Sequence, residues 1–396
     1  MEKNDRLYSY EFTVLCLAST FAFCNIAIFY SLSGYLERLG IDPAWRGLII
    51  AAEPAMAVIL RPLISPLLTP ANALAVLRVA LTGNGAALVC YRFAGTVPWL
   101  LAVRMVHGAS FVCLVSAVTA LLVGFIPKGR SAQAFGVFSL TSLAPFAVMP
   151  LATELLLRFV GDESAVYALA SLLIVPALVL LAPLGRRIRR AGLASQGAQR
   201  PSRGVVLDNL RRPKVLAILA ANLCVFLCST MVFFYAKGYA VALGAADPGL
   251  FFSIVFGAMI AVRLLGNAVF DKLPRVPGLI FFLVSWCVCL ALMARAVSPG
   301  ALFVLAAGYG LCLGVIQPLL NAAMYQHSPP DLRGININMM LFMMDAGYFL
   351  GPLAGGTLLA FGFGFPALFF TGAGWALLAA LLLSPLARAR MEEEIH

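Results

Sequence analysis

Twelve stretches of about twenty or more predominantly apolar residues recur along the chain, separated by short polar connections. That recurrence leaves few folds open. A hydrocarbon layer about 30 Å thick is crossed by about 20 residues of helix, and in lipid every backbone amide must find its partner inside the protein. The stretches run from Tyr10 to Leu36, Gly47 to Leu68, Ala71 to Tyr91, Val97 to Ile126, Ala132 to Leu157, Ala165 to Leu184, Val215 to Val241, Gly249 to Phe270, Pro277 to Ala296, Ala301 to Tyr325, Gly334 to Ala360 and Phe365 to Leu386. An all-α, polytopic membrane protein of about twelve helices is expected, and 62% apolar against 11% charged residues agrees with it. The first stretch is too long for a signal-peptide core and no small-residue cleavage site follows it, so it reads as a retained helix.

A net charge of +11 would point to nucleic acid in a soluble chain. Laid on the spans, it becomes an orientation signal instead, and no nucleic-acid partner is expected. With both termini cytoplasmic, the inner connections hold Lys3, Arg6, Lys128, Arg130, Lys272, Arg275, Arg333, Arg388 and Arg390, together with the basic segment Gly185 to Lys214. The outer ones hold Arg38, Arg46, Arg92, Arg158, Lys237 and Arg295. This bias places the termini inside a bacterial-type inner membrane. The basic segment divides the chain into residues 1–184, a linker 185–214 and residues 215–396, and its arginines suit a cytoplasmic anchor to anionic headgroups. The nine cysteines are scattered through apolar runs without the spacing of a disulfide framework.

The two parts repeat each other. Arg61 and Arg263 lie 202 positions apart, as do Gly108 and Gly310, and Pro150-Leu151-Ala152 and Pro352-Leu353-Ala354. Landmarks recurring in order at one offset predict a six-helix unit duplicated in the same orientation.

Four segments resemble the major facilitator superfamily, and the resemblance extends over essentially the whole chain. Tyr35-Leu36-Glu37-Arg38-Leu39-Gly40-Ile41 followed by Gly47-Leu48-Ile49-Ile50 looks like the first-to-second helix passage of drug and sugar efflux members. Gly266, Asp271, Lys272 and Arg275 resemble the family's loop signature at the inner gate, whereas the first copy has Thr69 at the aspartate position and no basic residues. Arg104-Met105-Val106-His107-Gly108 is similar to the motif whose arginine is implicated in proton coupling. Asp345-Ala346-Gly347 with Gly351-Pro352-Leu353-Ala354-Gly355-Gly356 resembles the glycine-proline motif of exporters. That motif is complete here only in the eleventh span; the fifth has Pro150 followed by Thr153-Glu154. The resemblance implies two six-helix bundles around a cavity that opens alternately to each side.

A charge at the bilayer centre costs from about 2.5 kcal/mol upwards, so intramembrane polar groups are candidates for function. Glu53, Arg104, His107, Glu154 and Asp345 are candidates for proton coupling, with Arg104 on the level of Glu53 and Glu154 and so placed for a neutralising pair. His107, one turn from Arg104, suits either a proton relay or a simple hydrogen bond. Asn25, Arg78, Asn222, Arg263, Asn267 and Gln317 are substrate-cavity candidates, and Arg61, Arg130, Asp271, Lys272, Arg275 and Arg333 inner-gate candidates. Gly347, Gly351, Pro352, Gly355 and Gly356 suit close helix packing. Met339 and Met343, with Cys224 and Cys228 at helical spacing, suit cuprous ion or simple core filling, and no metal site is assigned.

Export of a small organic or amphiphilic solute, driven by protons, is the expected function. Uptake of an organic anion, with Arg104 or Arg78 meeting a carboxylate, is the alternative. A copper carrier, a membrane enzyme and a non-transporting receptor are further classes. Only His107, His327 and His396 are available to an enzyme, without ligand-like spacing, and nothing resembles a nucleotide-binding loop. The expected partners are the solute, protons and lipid; no cofactor is implied, and a monomer is expected.

Overall fold

The computed structural model describes residues 8–64, 67–69, 71–125, 131–190, 203–265, 275–329 and 332–395. The described residues are helical throughout, with twelve principal helices. The first six are α1 (Tyr10–Arg38), α2 (Pro43–Ile64), α3 (Ala73–Phe93), α4 (Val97–Phe125), α5 (Ser131–Val160) and α6 (Glu163–Arg187). The remainder are α7 (Pro213–Ala242), α8 (Leu250–Leu265), α9 (Arg275–Met293), α10 (Pro299–His327), α11 (Arg333–Ala360) and α12 (Phe365–Ile395). Eleven of these contain an apolar stretch long enough to cross a membrane; α8, at 16 described residues, is the shorter one. A short helix, Arg203–Leu210, precedes α7, which opens on Pro213 at a position where a missing N–H costs nothing.

The chain forms two compact units, residues 1–41 with 52–198 and residues 42–51 with 199–396. In the first unit, α1, α3, α4 and α6 enclose an apolar core that includes Leu15, Leu77, Leu81, Leu114, Val118, Leu121 and Ile174. In the second, α7 packs on α11 and α12, α8 on α10, and α9 on α10 and α12.

Contacts inside the units follow the repeat. A Cβ added to Gly108 would lie 2.2 Å from the Glu53 carbonyl oxygen, and one added to Gly310 would lie 2.3 Å from that of Val255. Both positions therefore need glycine, because α4 rides on α2 as α10 rides on α8 with the backbones in contact. Tyrosine braces recur as well. Tyr30 donates its hydroxyl to the Pro150 carbonyl at 2.9 Å, and Tyr235 donates to that of Pro352 at 2.7 Å. Tyr35 donates to the Tyr91 carbonyl at 3.4 Å, and Tyr239 to that of Met293 at 3.1 Å.

Polar side chains order the ends of several helices. Ser9 caps α1 through the Phe12 amide at 3.2 Å, and Ser298 caps α10 through the Ala301 amide at 3.3 Å. Asp162 caps α6 through the Ser164 amide at 3.1 Å and pairs with Arg92. Arg38 pairs with Glu163 beside it. Lys237, counted above with the outer connections, instead lies within α7 and is 9% exposed. Helix α7 continues past it to Ala242, so its ammonium enters the protein rather than a loop.

Candidate functional site

Three of the first unit's helices tighten into a 3-10 turn: α1 at Ile28–Ser31, α3 at Tyr91–Phe93 and α6 at Ser171–Leu173. At or near these turns stand Phe29, Tyr91 and Tyr167, large rings that close on one another. Phe29 lies 5.1 Å from Tyr91 and 4.7 Å from Tyr167 by ring centroids, and 5.1 Å from the imidazole of His107 on α4. Ring pairs at such distances interact favourably beyond their buried area. Ser31 and Tyr167 share a hydroxyl contact of 3.1 Å at the edge of the cluster.

Arg104 enters this aromatic core from α4 and is only 1% exposed. Its guanidinium carbon lies 5.2 Å over the Phe29 ring. Nη2 reaches Glu53 Oε2 on α2 at 3.3 Å, and Nη1 reaches the Tyr91 hydroxyl at 3.5 Å. Tyr91 Oη in turn meets His107 Nδ1 at 3.3 Å. The result is a buried chain from carboxylate through guanidinium and phenol to imidazole. The neutralising pair expected from the sequence is therefore Arg104 with Glu53. Glu154 of α5 is engaged elsewhere: Tyr30 Oη donates to its Oε1 at 2.6 Å.

The other candidates occupy separate places. Arg78 turns to α6, donating through Nη2 to the carbonyls of Leu181 at 2.9 Å and Ala182 at 3.1 Å. A turn at Ala182–Pro183 interrupts α6 there, so the arginine satisfies backbone that the helix has released. Asn25 is fully buried on α1, and neither end of its amide has a hydrogen-bond partner among the described residues. Asn222 of α7 donates to the Met340 carbonyl at 2.8 Å. Gln317 is half-buried on α10, and Asp345 is buried at 5% exposure on α11. Arg263 is partly buried near the C-terminal end of α8, and its Nε is buried without a hydrogen-bond partner among the described residues.

Arg61 sits half-buried in the last turn of α2. Arg333 donates to the Tyr325 hydroxyl at 3.1 Å and stacks over its ring at 4.1 Å. Arg275 opens α9, while Arg130, Asn267, Asp271 and Lys272 lie outside the described residues. Along α11, Gly347 and Gly351 receive the backbone of α7, Gly355 and Pro352 meet Tyr235, and Gly356 meets Gly47. Cys224 and Cys228 are buried in α7, Met339 and Met343 are half-buried on α11, and no cluster of three His, Cys, Asp or Glu side chains is placed for a metal ion among the described residues.

Tyr91, Tyr30, Phe29 and Tyr167 are the members of the site that the polar inventory missed. Each reads in sequence as an aromatic residue in an apolar run. The available signal was their placement beside the charged residues of neighbouring spans, visible only once helices are paired in space.

The comparisons with known proteins bear on the fold and the family. Among curated proteins none matches the sequence significantly. Among solved structures, the nucleoside transporter NupG superposes with a TM-score of 0.74 at 14% identity, covering 94% of this chain and 98% of its own. A mutant of the same transporter gives 0.76 at 13%, covering 94% and 99%. A bacterial homologue of the human lysosomal transporter Spinster, in an inward-facing and occupied conformation, gives 0.71 at 13%, covering 96% and 97%. These identities speak to the fold alone. The family model described as Major Facilitator Superfamily matches residues 14–278 and 240–395, so the chain belongs to the Major Facilitator Superfamily.

Proposed function

We propose that this transporter takes up a small organic anion together with a proton. Membership of the family makes the chain an alternating-access secondary transporter of a small molecule rather than an enzyme. The anionic cargo rests on one observation: Arg263 keeps a buried Nε without a partner among the described residues, while Arg104 and Arg78, the two arginines first considered for a carboxylate, are engaged within the protein. A guanidinium whose buried Nε–H is unmet, in a membrane helix, is suited to a carboxylate or phosphate group. Uptake is favoured over the export expected from sequence. The relatives named above are a nucleoside transporter and a Spinster homologue rather than drug exporters, and the exporter motif is incomplete in α5. Cytoplasmic termini and a cytoplasmic basic linker belong to the same proposal, from the Lys and Arg distribution.

Proton coupling is supported by Glu53 and Arg104. Burial favours the neutral acid and a nearby guanidinium the anion, so a conformational change that separates the two alternates the protonation of Glu53. A neutral nucleoside-like cargo is the second reading, supported by the likeness to NupG.

A thermal-stability screen of the purified protein against organic acids and nucleosides separates the two cargoes, since a ligand at 100 times its Kd stabilises by about 2.7 kcal/mol. Stabilisation by an acid, lost in Arg263→Gln, is the expected result. Stabilisation by nucleosides alone, unchanged in Arg263→Gln, would move the cargo to the second reading. For coupling, accumulation driven by a pH gradient in proteoliposomes should vanish in Glu53→Gln while counterflow persists. Gradient-driven accumulation that survives this substitution removes Glu53 from the mechanism.

A further inference from the structure

Three polar side chains in the core of the first unit keep atoms without a hydrogen-bond partner among the described residues. They are both ends of the Asn25 amide on α1, both ends of the Asn84 amide on α3, and Nε2 of His107 on α4. All three residues are 0% exposed. Leaving such a group unmet costs more than a single hydrogen bond returns, and buried polar atoms of native proteins are nearly always satisfied by protein or by ordered water. We infer that Asn25, Asn84 and His107 together hold internal water between α1, α3 and α4. Asn25 then belongs to a closed site rather than to the substrate cavity.

Contacts on either side bring the three residues to one level. Along α1, Ala22, Asn25 and Phe29 share a face, and the Phe29 ring lies 5.1 Å from Tyr91 of α3 and 5.1 Å from the His107 imidazole. Further down α1, Phe23 meets Phe111 of α4 at 5.6 Å. Asn25 therefore stands level with the stretch of α4 between His107 and Phe111. Asn84 comes to that level from α3, because a Cβ added to Gly83 would lie 2.6 Å from Ser110 Oγ of α4. One added to Gly85 would lie 3.3 Å from Ile174 of α6. With about 100° between successive residues of a helix, Asn84 points between those neighbours, into the core that α1 closes.

The repeat shows that there is room. The 202-residue offset places Trp286 on Asn84 and Tyr309 on His107, and in the second copy those two rings lie 5.4 Å apart. Trp286 is 0% exposed and Tyr309 2%. The first copy fills the same adjoining positions with an amide and an imidazole, which are smaller and polar. The set of unmet atoms also selects the ligand. Each amide offers an acceptor and a donor, and Nε2 is one or the other according to its tautomer. A bare cation would satisfy only acceptors and an anion only donors. Water does both, and a buried water typically makes about three hydrogen bonds.

Hydroxyl-radical footprinting of the purified full-length protein by brief X-ray exposure, read by mass spectrometry, tests the site. Water held in the core is split in place and oxidises the side chains beside it, whereas radicals from bulk solvent do not reach them. Leu81 and Leu88, about one turn to either side of Asn84 and both 0% exposed, are the reporters. Leu15, equally buried in the apolar core on α1, is the dry reference. Leu81 and Leu88 should be oxidised several-fold faster than Leu15, and the excess should be lost in Asn84→Leu and in Asn25→Leu. Rates equal to that of Leu15 in the unmodified protein overturn the inference, since the core would then be dry and the amides would satisfy each other. An excess that survives either substitution overturns it as well, because the water would then be held without that amide. If Asn84→Leu fails to fold, the unmodified protein and Asn25→Leu decide the matter.

Discussion

The two copies of the repeat keep the same backbone contacts and differ in what they bury at them. Shifting the first copy by the 202-residue offset places Glu53 on Val255, Tyr91 on Met293, Arg104 on Ala306, His107 on Tyr309 and Tyr167 on Phe369. Both copies have a glycine of one helix seated on a backbone carbonyl of another, and both have tyrosine hydroxyls bracing carbonyls. The Glu53–Arg104 pair of the first copy has Val255 and Ala306 at its place in the second. In the second, the contact of α10 on α8 at Gly310 and Val255 is made without such a pair, so the crossing itself does not require one, which accords with the coupling role proposed for Glu53 and Arg104.

The most direct way to break this comparison is to give the first copy the residues of the second. Arg104→Ala alone takes the guanidinium away from a largely buried carboxylate and should cost about 3–5 kcal/mol in thermal unfolding of the detergent-solubilised protein. Glu53→Val combined with Arg104→Ala should recover most of that loss, to within about 1 kcal/mol of the original protein, because it reproduces a crossing already present at Val255 and Ala306. Gradient-driven transport should nevertheless be absent. A double variant as unstable as Arg104→Ala would show that the pair is structural and that the copies are not equivalent.

A smaller effect tests the shared backbone contacts. Gly108→Ala and Gly310→Ala each drive a methyl onto a carbonyl oxygen, and each should cost about 2–3 kcal/mol. Similar losses sharpen the equivalence. Tolerance of alanine at Gly310 alone would mean that the second crossing can separate where the first cannot.

The fold was legible because its signals are local: apolar runs of spanning length, basic connections and landmarks repeated at a fixed offset all survive in one dimension. The Glu53–Arg104 pair was legible for a related reason, since depth along a helix follows from residue count. What depth does not give is azimuth. Glu154 stands at a level compatible with Arg104 but faces Tyr30, and Arg78 reads as a free cation until the break in α6 at Pro183 supplies its carbonyls. Lys237 was assigned by charge rather than by position in its span. The aromatic residues that complete the site have no charge to betray them, and Tyr91 becomes recognisable only when its hydroxyl is found between Arg104 and His107.

The smallest expected effect lies outside the membrane spans, where the copies differ in how α6 and α12 begin. Asp162 caps α6, and the same offset places Gly364 before α12. Burial raises the Asp162 carboxyl, but the Ser164 hydroxyl, the Ser164 amide and Arg92 together outweigh it, so the group sits below its ordinary value of 3.8. A carboxyl lowered in the folded state contributes stability that is present above its unfolded value and lost as pH falls through its folded value. Near neutral pH, Asp162→Gly should therefore destabilise by under about 1 kcal/mol, given a half-exposed arginine partner and a glycine that still permits a helix start. The difference between variant and original should narrow below about pH 4 and be gone once Asp162 is protonated. Thermal unfolding at pH 7 and pH 3.5 measures both. A gap that stays constant across that range would mean that Asp162 acts only through its conformation, and the first copy would then owe nothing at this end to charge.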